Sequence, residues 1–172
     1  AYDSIYFQNA NHSVRVTDEF MNAAAEDREW HTRAVSDGRI VDTYSARELL
    51  MRMSEATWIC GDPGMQYDTT INRWHTSKAS GRINASNPCS EYMFLDDTAC
   101  NLASLNLVKF MDPVTGMFDV DKYIHACEVW TVVLEISILM AQFPSAEIAM
   151  RSYQYRTIGL GFANIGALLM LM

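Results

Sequence analysis

The chain has 172 residues, of which 49% are apolar and 20% are charged, as in folded globular domains rather than disordered segments. Its formal net charge of −8 argues against non-specific nucleic-acid binding, which needs a basic surface. Four cysteines are too few for a secreted disulfide scaffold, and no signal peptide pattern opens the sequence. We therefore expect reduced thiols, a cytoplasmic location and no membrane span.

Both ends of the sequence look like cut ends. The chain lacks an initiator Met, and it stops inside the apolar run 165–172 without a capping residue. This run is well short of the roughly 20 apolar residues that a membrane span needs. We therefore expect residues 1–172 to be a single partial domain of a longer protein.

The first part of the chain predicts strands and helices in alternation. Residues 4–16 mix β-branched and aromatic side chains, which predicts one or two strands. Thr17 can cap a helix with acidic residues in its first turn, and Gly38 and Asp42 mark the loop after it. The S-x-x-E spacing that begins at Ser45 is typical of a capping box for a second helix.

The rest of the chain continues this alternation. A G-D-P-G turn at 61–64 leads into a predicted helix over 65–74. The segment 120–143, capped by the preceding aspartate, predicts a long helix with apolar side chains around nearly its whole circumference, and we expect it to be deeply buried. A short strand over 156–160 and a helix from Phe162 follow. Because strands alternate with helices and no linker or repeat divides the chain, we expect an α/β architecture.

Two common kinds of site fit this sequence poorly. The G-L-G turn at 159–161 follows a predicted strand, but Asn164 stands where a dinucleotide fingerprint needs its third glycine. No two cysteines have the C-x-x-C spacing of a zinc site and the four histidines are scattered, so we expect no metal site. Cys60 and Cys127 lie in apolar helical contexts, and we interpret both as structural.

The segment N-P-C-S-E at 87–91 is the strongest candidate site. Pro88 excludes a helix interior and pushes Asn87 towards extended geometry, in which alternate side chains point the same way. Asn87, Cys89 and Glu91 would then project from one face, offering an amide, a thiol and a carboxylate that can accept a proton. The alternative is a loop whose polar side chains only satisfy its own backbone, and spacing leaves both interpretations open.

The same segment resembles the active-site loop of ribonucleotide reductase large chains. A second cysteine, Cys100, follows the first by eleven residues within C-N-L-A-S-L-N-L, and this gap is similar to that of the adenosylcobalamin-dependent branch. Other stretches agree with the resemblance, which covers nearly the whole chain. These are S-V-R-V-T-D-E-F-M at 13–21, G-D-P-G at 61–64, I-N-R-W at 71–74 and R-T-I-G-L-G-F-A-N-I-G-A-L-L-M at 156–170.

The resemblance implies part of a ten-stranded α/β barrel of two half-barrels, with a central finger loop carrying the radical cysteine. Cys89 matches the cysteine whose thiyl radical takes hydrogen from the ribose 3′ carbon. Glu91 matches the general base on the 3′ hydroxyl, and Asn87 matches the amide that orients the ribose. Cys100 matches one thiol of a redox pair whose partner lies outside these residues. The substrate-binding residues implied are Asn87, Pro88, Cys89, Ser90 and Glu91.

The implied activity is the reduction of ribonucleotides, expected to be ribonucleoside diphosphates, to 2′-deoxyribonucleotides for DNA synthesis. Adenosylcobalamin is the implied cofactor, although the sequence has no D-x-H-x-x-G cobalamin motif. A thioredoxin or glutaredoxin-type dithiol is the implied reductant. For the full-length chain the resemblance also implies deoxynucleoside triphosphate effectors and a homodimer, and the 172 residues alone should be inactive.

Four alternatives stay open at this point. An iron-dependent or an anaerobic reductase has related large chains. A thiol-redox or zinc-binding module would show a disulfide between the two loop cysteines or bound metal. A catalytically inactive interaction domain would not need the amide, thiol and carboxylate to converge.

Overall fold

The structure is a computed structural model that describes residues 9–172. The chain divides after Asp96 into two compact units, each of which combines strands with helices. The predicted α/β architecture is therefore confirmed. The prediction of one partial domain over residues 1–172 stays a prediction.

The first unit is built on a parallel and an antiparallel pair of strands. β1 pairs with β4 in parallel, with Arg15 beside Gln66 in the register. β2 and β3 form an antiparallel hairpin. The elements are β1 (Ser13–Val16), α1 (Asp18–Ala25), β2 (Glu29–Arg33), β3 (Ile40–Ser45), α2 (Ala46–Cys60), β4 (Gly64–Tyr67) and α3 (Asp68–Trp74).

Side-chain caps begin the first two helices where the sequence predicted them. The Thr17 hydroxyl accepts a hydrogen bond from the Phe20 amide at 3.3 Å, and the Ser45 hydroxyl accepts one from the Glu48 amide at 3.2 Å. Each cap satisfies one of the amides that a helix start leaves without a partner. The helices enclose a small core of Val16, Phe20, Ala23, Ala24 and Ala46.

Two predictions for this unit are wrong. Gly38 lies in a loop as predicted, at the turn of the β2–β3 hairpin with a left-handed backbone (φ 74°), but Asp42 lies within β3 rather than in that loop. The helix predicted over 65–74 begins only at Asp68, since the three residues before it hydrogen-bond to β1. Of the strand predicted over 4–16, the part before residue 9 lies outside the described residues.

The second unit is built on the parallel pair β5 and β6, which aligns Asn101 with Ile158. Asp119 caps the long helix as predicted, accepting from the Lys122 amide at 2.9 Å. A helix that was not predicted follows it, capped by Ser145. The elements are β5 (Asn101–Asn106), α4 (Val120–Met140), α5 (Ala146–Tyr155), β6 (Ile158–Ala163) and α6 (Ile165–Leu171).

The predicted deep burial of α4 is wrong for this chain. The helix buries Leu134 and Ile138 and packs on β5 and β6, where Asn101 donates to the Leu134 carbonyl at 3.0 Å. A two-stranded pair covers only one stripe of a helix, so most of the remaining apolar side chains are exposed. Within residues 9–172, α4 alone is long and apolar enough to cross a membrane, a test that sheet-covering helices of α/β domains also pass.

Candidate functional site

The segment that carries the candidate residues is a turn rather than an extended strand. The Ser90 amide donates to the Asn87 carbonyl at 3.0 Å, which closes a four-residue turn with Pro88 and Cys89 at its centre. Proline is favoured at the first central position because its ring fixes φ near the required value. The prediction of extended geometry is therefore wrong, since Pro88 can be accommodated at a turn corner as well as in a strand.

In this turn the three proposed catalytic side chains do not form the row along one face that the sequence predicted. Cys89 and Glu91 are exposed, whereas Asn87 is half-buried and its side-chain oxygen accepts a hydrogen bond from the Tyr92 amide at 2.9 Å. A hydrogen bond from the Asn87 side chain lowers the pKa of Glu91 below its ordinary value. A hydrogen bond therefore links Asn87 to Glu91. Cys89 lies between these two residues in sequence, at the centre of the turn.

The end of the turn lies in a sparsely populated backbone conformation. Ser90 has a φ of 66°, in the left-handed region that most residues avoid. Its hydroxyl lies 3.3 Å from that of Ser86, which in turn donates to the Asn87 carbonyl at 2.7 Å. The two serines therefore flank the turn and share its hydrogen bonds.

A buried glutamine that the sequence analysis missed contacts both serines. Gln66 on β4 is 7% exposed, and its side-chain amide donates to Ser86 at 2.7 Å and to Ser90 at 3.2 Å. Its side-chain oxygen accepts from Arg15 on β1 at 2.9 Å. The sequence did carry a signal for this contact, because Arg15 and Gln66 each lie inside a short apolar strand. Buried polar side chains need hydrogen-bond partners.

The far end of this network is an ion-pair cluster at the start of α3. Arg15 donates to Asp68 at 2.6 Å and to the Ile83 carbonyl at 2.7 Å, and Arg82 also pairs with Asp68. Burial raises the pKa of Asp68, but hydrogen bonds and positive charge from Arg15 and Arg82 outweigh it, so the pKa lies below its ordinary value. Asn72 adds bonds to both backbone groups of Ile83. The segment that leads into the turn is therefore fixed to the strands.

Cys100 lies in the second unit, one residue before β5 begins. It is half-buried and lines a cavity of about 60 Å³ together with Ile138, Ser152 and Thr157. The hydroxyl of Ser152 is buried, and within residues 9–172 it has no hydrogen-bond partner. All four cysteines of the chain are thiols rather than halves of a disulfide. The predicted redox cysteine thus borders a small space beside α4 and α5.

The G-L-G segment at 159–161 lies within β6, so the turn predicted there is wrong, and the helix predicted from Phe162 begins only at Ile165. A Cβ atom at Gly159 would lie 2.7 Å from the Leu102 side chain and 3.7 Å from the sulfur of Cys100. Contacts shorter than 3.0 Å are essentially never made by real Cβ atoms, so glycine lets β6 approach β5 here. The glycine is explained by strand packing next to Cys100.

The other two cysteines have local partners. Cys60 is exposed, and its thiol donates to the Ala56 carbonyl of its own helix at 3.3 Å. A hydrogen bond with Cys127 raises the pKa of Tyr123, one turn earlier on α4. Among the residues that the structure describes, no three His, Cys, Asp or Glu side chains are grouped closely enough to hold a metal ion.

Comparison with known proteins bears on the whole chain. The family model described as "Ribonucleotide reductase, barrel domain" matches residues 1–172. A protein of Agrobacterium fabrum named vitamin B12-dependent ribonucleotide reductase is 56% identical over 170 residues, covering 99% of this chain and 13% of that protein. The Bradyrhizobium diazoefficiens protein of the same name is 55% identical, covering 100% of this chain and 14% of its own length.

A more distant relative carries a narrower name. The Mycobacterium tuberculosis protein named vitamin B12-dependent ribonucleoside-diphosphate reductase is 33% identical over 159 residues, covering 92% of this chain and 22% of that protein. The chain therefore spans between 13% and 22% of the length of these three relatives. The match of the barrel-domain model to every residue shows that the chain belongs to the ribonucleotide reductase family.

Proposed function

We propose that the protein containing this chain reduces ribonucleotides to 2′-deoxyribonucleotides for DNA synthesis by a thiyl-radical mechanism. The observation that carries the proposal is the turn at residues 87–90, which presents the thiol of Cys89 beside a hydrogen-bonded amide and carboxylate. The names of the relatives support a vitamin B12-dependent enzyme over an iron-dependent or anaerobic one. The name of the mycobacterial relative supports ribonucleoside diphosphates as the substrates.

The fold proposed for the whole domain is a ten-stranded barrel of two half-barrels. The two parallel pairs, β1–β4 and β5–β6, are the pairing that such a barrel requires. The turn with Cys89 lies in sequence between them, in a segment without regular secondary structure. This order supports a finger loop with the cysteine at its tip, within one domain to which residues 1–172 contribute.

Each side chain of the turn has a proposed role. Cys89, as a thiyl radical, removes the hydrogen atom from the ribose 3′ carbon and returns it at the end of the reaction. Glu91 accepts the proton of the 3′ hydroxyl and later returns it, and the 2′ hydroxyl takes up a proton from the redox thiols and leaves as water. Asn87 orients the ribose hydroxyls, and Pro88 and Ser90 complete the substrate-binding turn. The carboxylate of Glu91 has a lowered pKa and is ionised at neutral pH, the state in which it can accept a proton.

Two electrons must enter for each substrate reduced. Cys100 and a second thiol outside this chain supply them, losing two hydrogen atoms and forming a disulfide. An external dithiol of the thioredoxin or glutaredoxin type then reduces that disulfide by thiol–disulfide exchange. The products balance as one deoxyribonucleotide, one water and one disulfide for each ribonucleotide and dithiol consumed.

The cofactor proposed is adenosylcobalamin, which supplies the radical that removes the hydrogen atom from the Cys89 thiol. Cys89 is exposed at the centre of its turn, and this exposure is the fit that these residues offer to a cofactor held by other parts of the protein. The intact protein is proposed to be cytoplasmic and homodimeric, with deoxynucleoside triphosphates as effectors.

The test is an assay of the intact protein with a ribonucleoside diphosphate, a dithiol and adenosylcobalamin. We expect one deoxyribonucleotide for each dithiol oxidised, and no product when the cobalamin is left out. Deoxyribonucleotide formation that proceeds equally without cobalamin would contradict the cofactor. No product under any of these conditions would contradict the function.

A further inference from the structure

We propose that Gln66 is a positioning residue that clamps the turn carrying Cys89. This inference rests on the proposed function of that cysteine. Gln66 lies outside the turn, and its side chain is hydrogen-bonded to Ser86, Ser90 and Arg15 rather than to the three proposed catalytic side chains. Through these partners it fixes the position of the Cys89 thiol.

Gln66 is hydrogen-bonded to a residue on each side of Cys89 in sequence. Ser86 precedes Asn87 and Ser90 follows Cys89, and the one side-chain nitrogen of Gln66 donates to both hydroxyls. The Ser86 hydroxyl donates in turn to the carbonyl of Asn87. The same carbonyl accepts the hydrogen bond that closes the turn. Gln66 is thus bonded directly to two hydroxyls and, through Ser86, to the carbonyl that closes the turn.

The chemistry of this position requires a glutamine. Its side-chain oxygen must accept from Arg15, while its NH₂ group must offer two hydrogens, one to each serine. A carboxylate of the same length would keep the acceptor and lose both donors. A methionine would fill nearly the same volume and lose all three bonds.

The other end of the clamp, Arg15, is anchored by partners outside the turn. Arg15 and Gln66 are register partners on the parallel strands β1 and β4. Arg15 is held further by Asp68 and by the Ile83 carbonyl, at 2.6 and 2.7 Å. A fixed anchor matters because Ser90 keeps its left-handed backbone only while the surroundings hold it there.

The expected consequence of losing the clamp is a loss of kcat. When reacting atoms shift by about 1 Å, a rate can fall by about 100-fold. In the intact enzyme we therefore expect Gln66→Met to lower kcat by about 10- to 100-fold, with KM for the ribonucleotide within about twofold of wild type. Gln154→Met is the matched control, because Gln154 is exposed on α5.

Hydrogen–deuterium exchange gives a readout that does not depend on activity. In Gln66→Met the amides of Ser90 and Tyr92, both bonded to Asn87, should exchange at least about tenfold faster, since those bonds open more often. The amides of β1 and β4 should keep their wild-type rates. Fast exchange across both strands would instead mean that the variant has lost its local fold, and the serine variants then decide.

Ser90→Ala leaves the bond between Gln66 and Arg15 intact and removes one arm of the clamp. If Gln66 acts through this serine, the kcat losses of Gln66→Met and Ser90→Ala should be less than multiplicative in the double variant. Ser54→Ala is the control, because Ser54 is exposed and its hydroxyl donates to the Leu50 carbonyl of its own helix. Fully multiplicative losses would overturn the clamp.

A wild-type kcat for Gln66→Met also overturns the proposal, whatever the exchange rates. That failure is distinct from failure of the proposed function. If the chemistry at Cys89 is wrong, Cys89→Ser keeps its turnover. If only the clamp is wrong, Cys89→Ser is inactive while Gln66→Met turns over normally.

Discussion

At the scale of single residues, a hydrogen bond from Asn87 shifts the pKa of the proposed base, Glu91. It lowers the pKa of Glu91 below the ordinary value of 4.5, so the active carboxylate persists above that pKa and is lost as the pH falls through it. Removing the bond raises the pKa. The acid side of the activity profile therefore reports on this pair.

We expect Asn87→Ala to move the acid limb of the kcat/KM profile to higher pH, towards the ordinary carboxyl value, in addition to lowering kcat/KM. The measurement is a pH–rate profile of the intact enzyme between about pH 4 and 8. Asn84→Ala is the control, because Asn84 is exposed and donates to Asp96 at 2.8 Å. An acid limb that stays in place in Asn87→Ala would contradict the account of Glu91.

Cys100 has a different expected role from Cys89, and a substitution should separate the two. Hydrogen abstraction at the substrate does not need the thiol of Cys100, whereas delivery of two electrons does. We expect Cys100→Ser to begin the reaction and then stall, giving substrate breakdown or cofactor loss in place of deoxyribonucleotide. Product analysis under single-turnover conditions checks this, with Cys127→Ser as the control. Sustained multiple turnover by Cys100→Ser would exclude it from the redox pair.

At the scale of elements, the cluster around Asp68 ties β1 to α3 and to the segment before the turn. The Asp68 side chain is 12% exposed, and its removal would leave Arg15 without its closest anionic partner. We expect Asp68→Asn to lower the local unfolding free energy by roughly 3 to 5 kcal/mol, because it breaks a largely buried ion pair. Exchange rates of the β1 and β4 amides measure this, and the exposed Asp121→Asn is the control.

The sign of the pH dependence follows from the lowered pKa of Asp68. Its carboxylate contributes stability that is present above the unfolded value of about 3.9 and is lost as the pH falls through the folded value. Protection of the β1 and β4 amides should therefore weaken in acid in the wild type. Asp68→Asn should lack this part of the acid dependence. Equal acid dependence in both proteins would contradict the role of the cluster.

The sequence predicted the elements whose signals are local. Thr17, Ser45 and Asp119 cap helices where the spacing of their neighbours indicated. The hairpin β2–β3 was missed because Gly38 is a loop residue and a hairpin turn residue alike. The strand β4 was merged into α3, since its four residues become a strand only through pairing with β1.

The candidate site, like the fold, was predicted only where its signals are local in sequence. N-P-C-S-E pointed to the correct segment, but Pro88 suits a turn corner as well as a strand, and hydrogen bonds from Ser86 and Gln66 select the turn. Gln66 lies twenty or more residues from both serines it contacts. No local pattern reports a contact of that length, so only the structure could reveal the clamp.

At the scale of the whole molecule, the chain is short beside the relatives that it matches. It spans between 13% and 22% of the length of the three relatives compared. Within the residues described, α4 leaves many of its apolar side chains exposed, which a larger domain would cover. Activity, substrates and effectors are therefore properties to be measured on the intact protein.

The central claim is that Cys89 carries the radical, and one comparison tests it most directly. Cys89→Ser and Cys60→Ser are prepared in the intact enzyme, a matched pair because both cysteines are exposed in this structure. Deoxyribonucleotide formation is then measured with adenosylcobalamin and a dithiol. We predict no turnover for Cys89→Ser, because a hydroxyl O–H bond is too strong to form and pass on the radical, and near wild-type turnover for Cys60→Ser. Normal multiple turnover by Cys89→Ser would contradict the assignment.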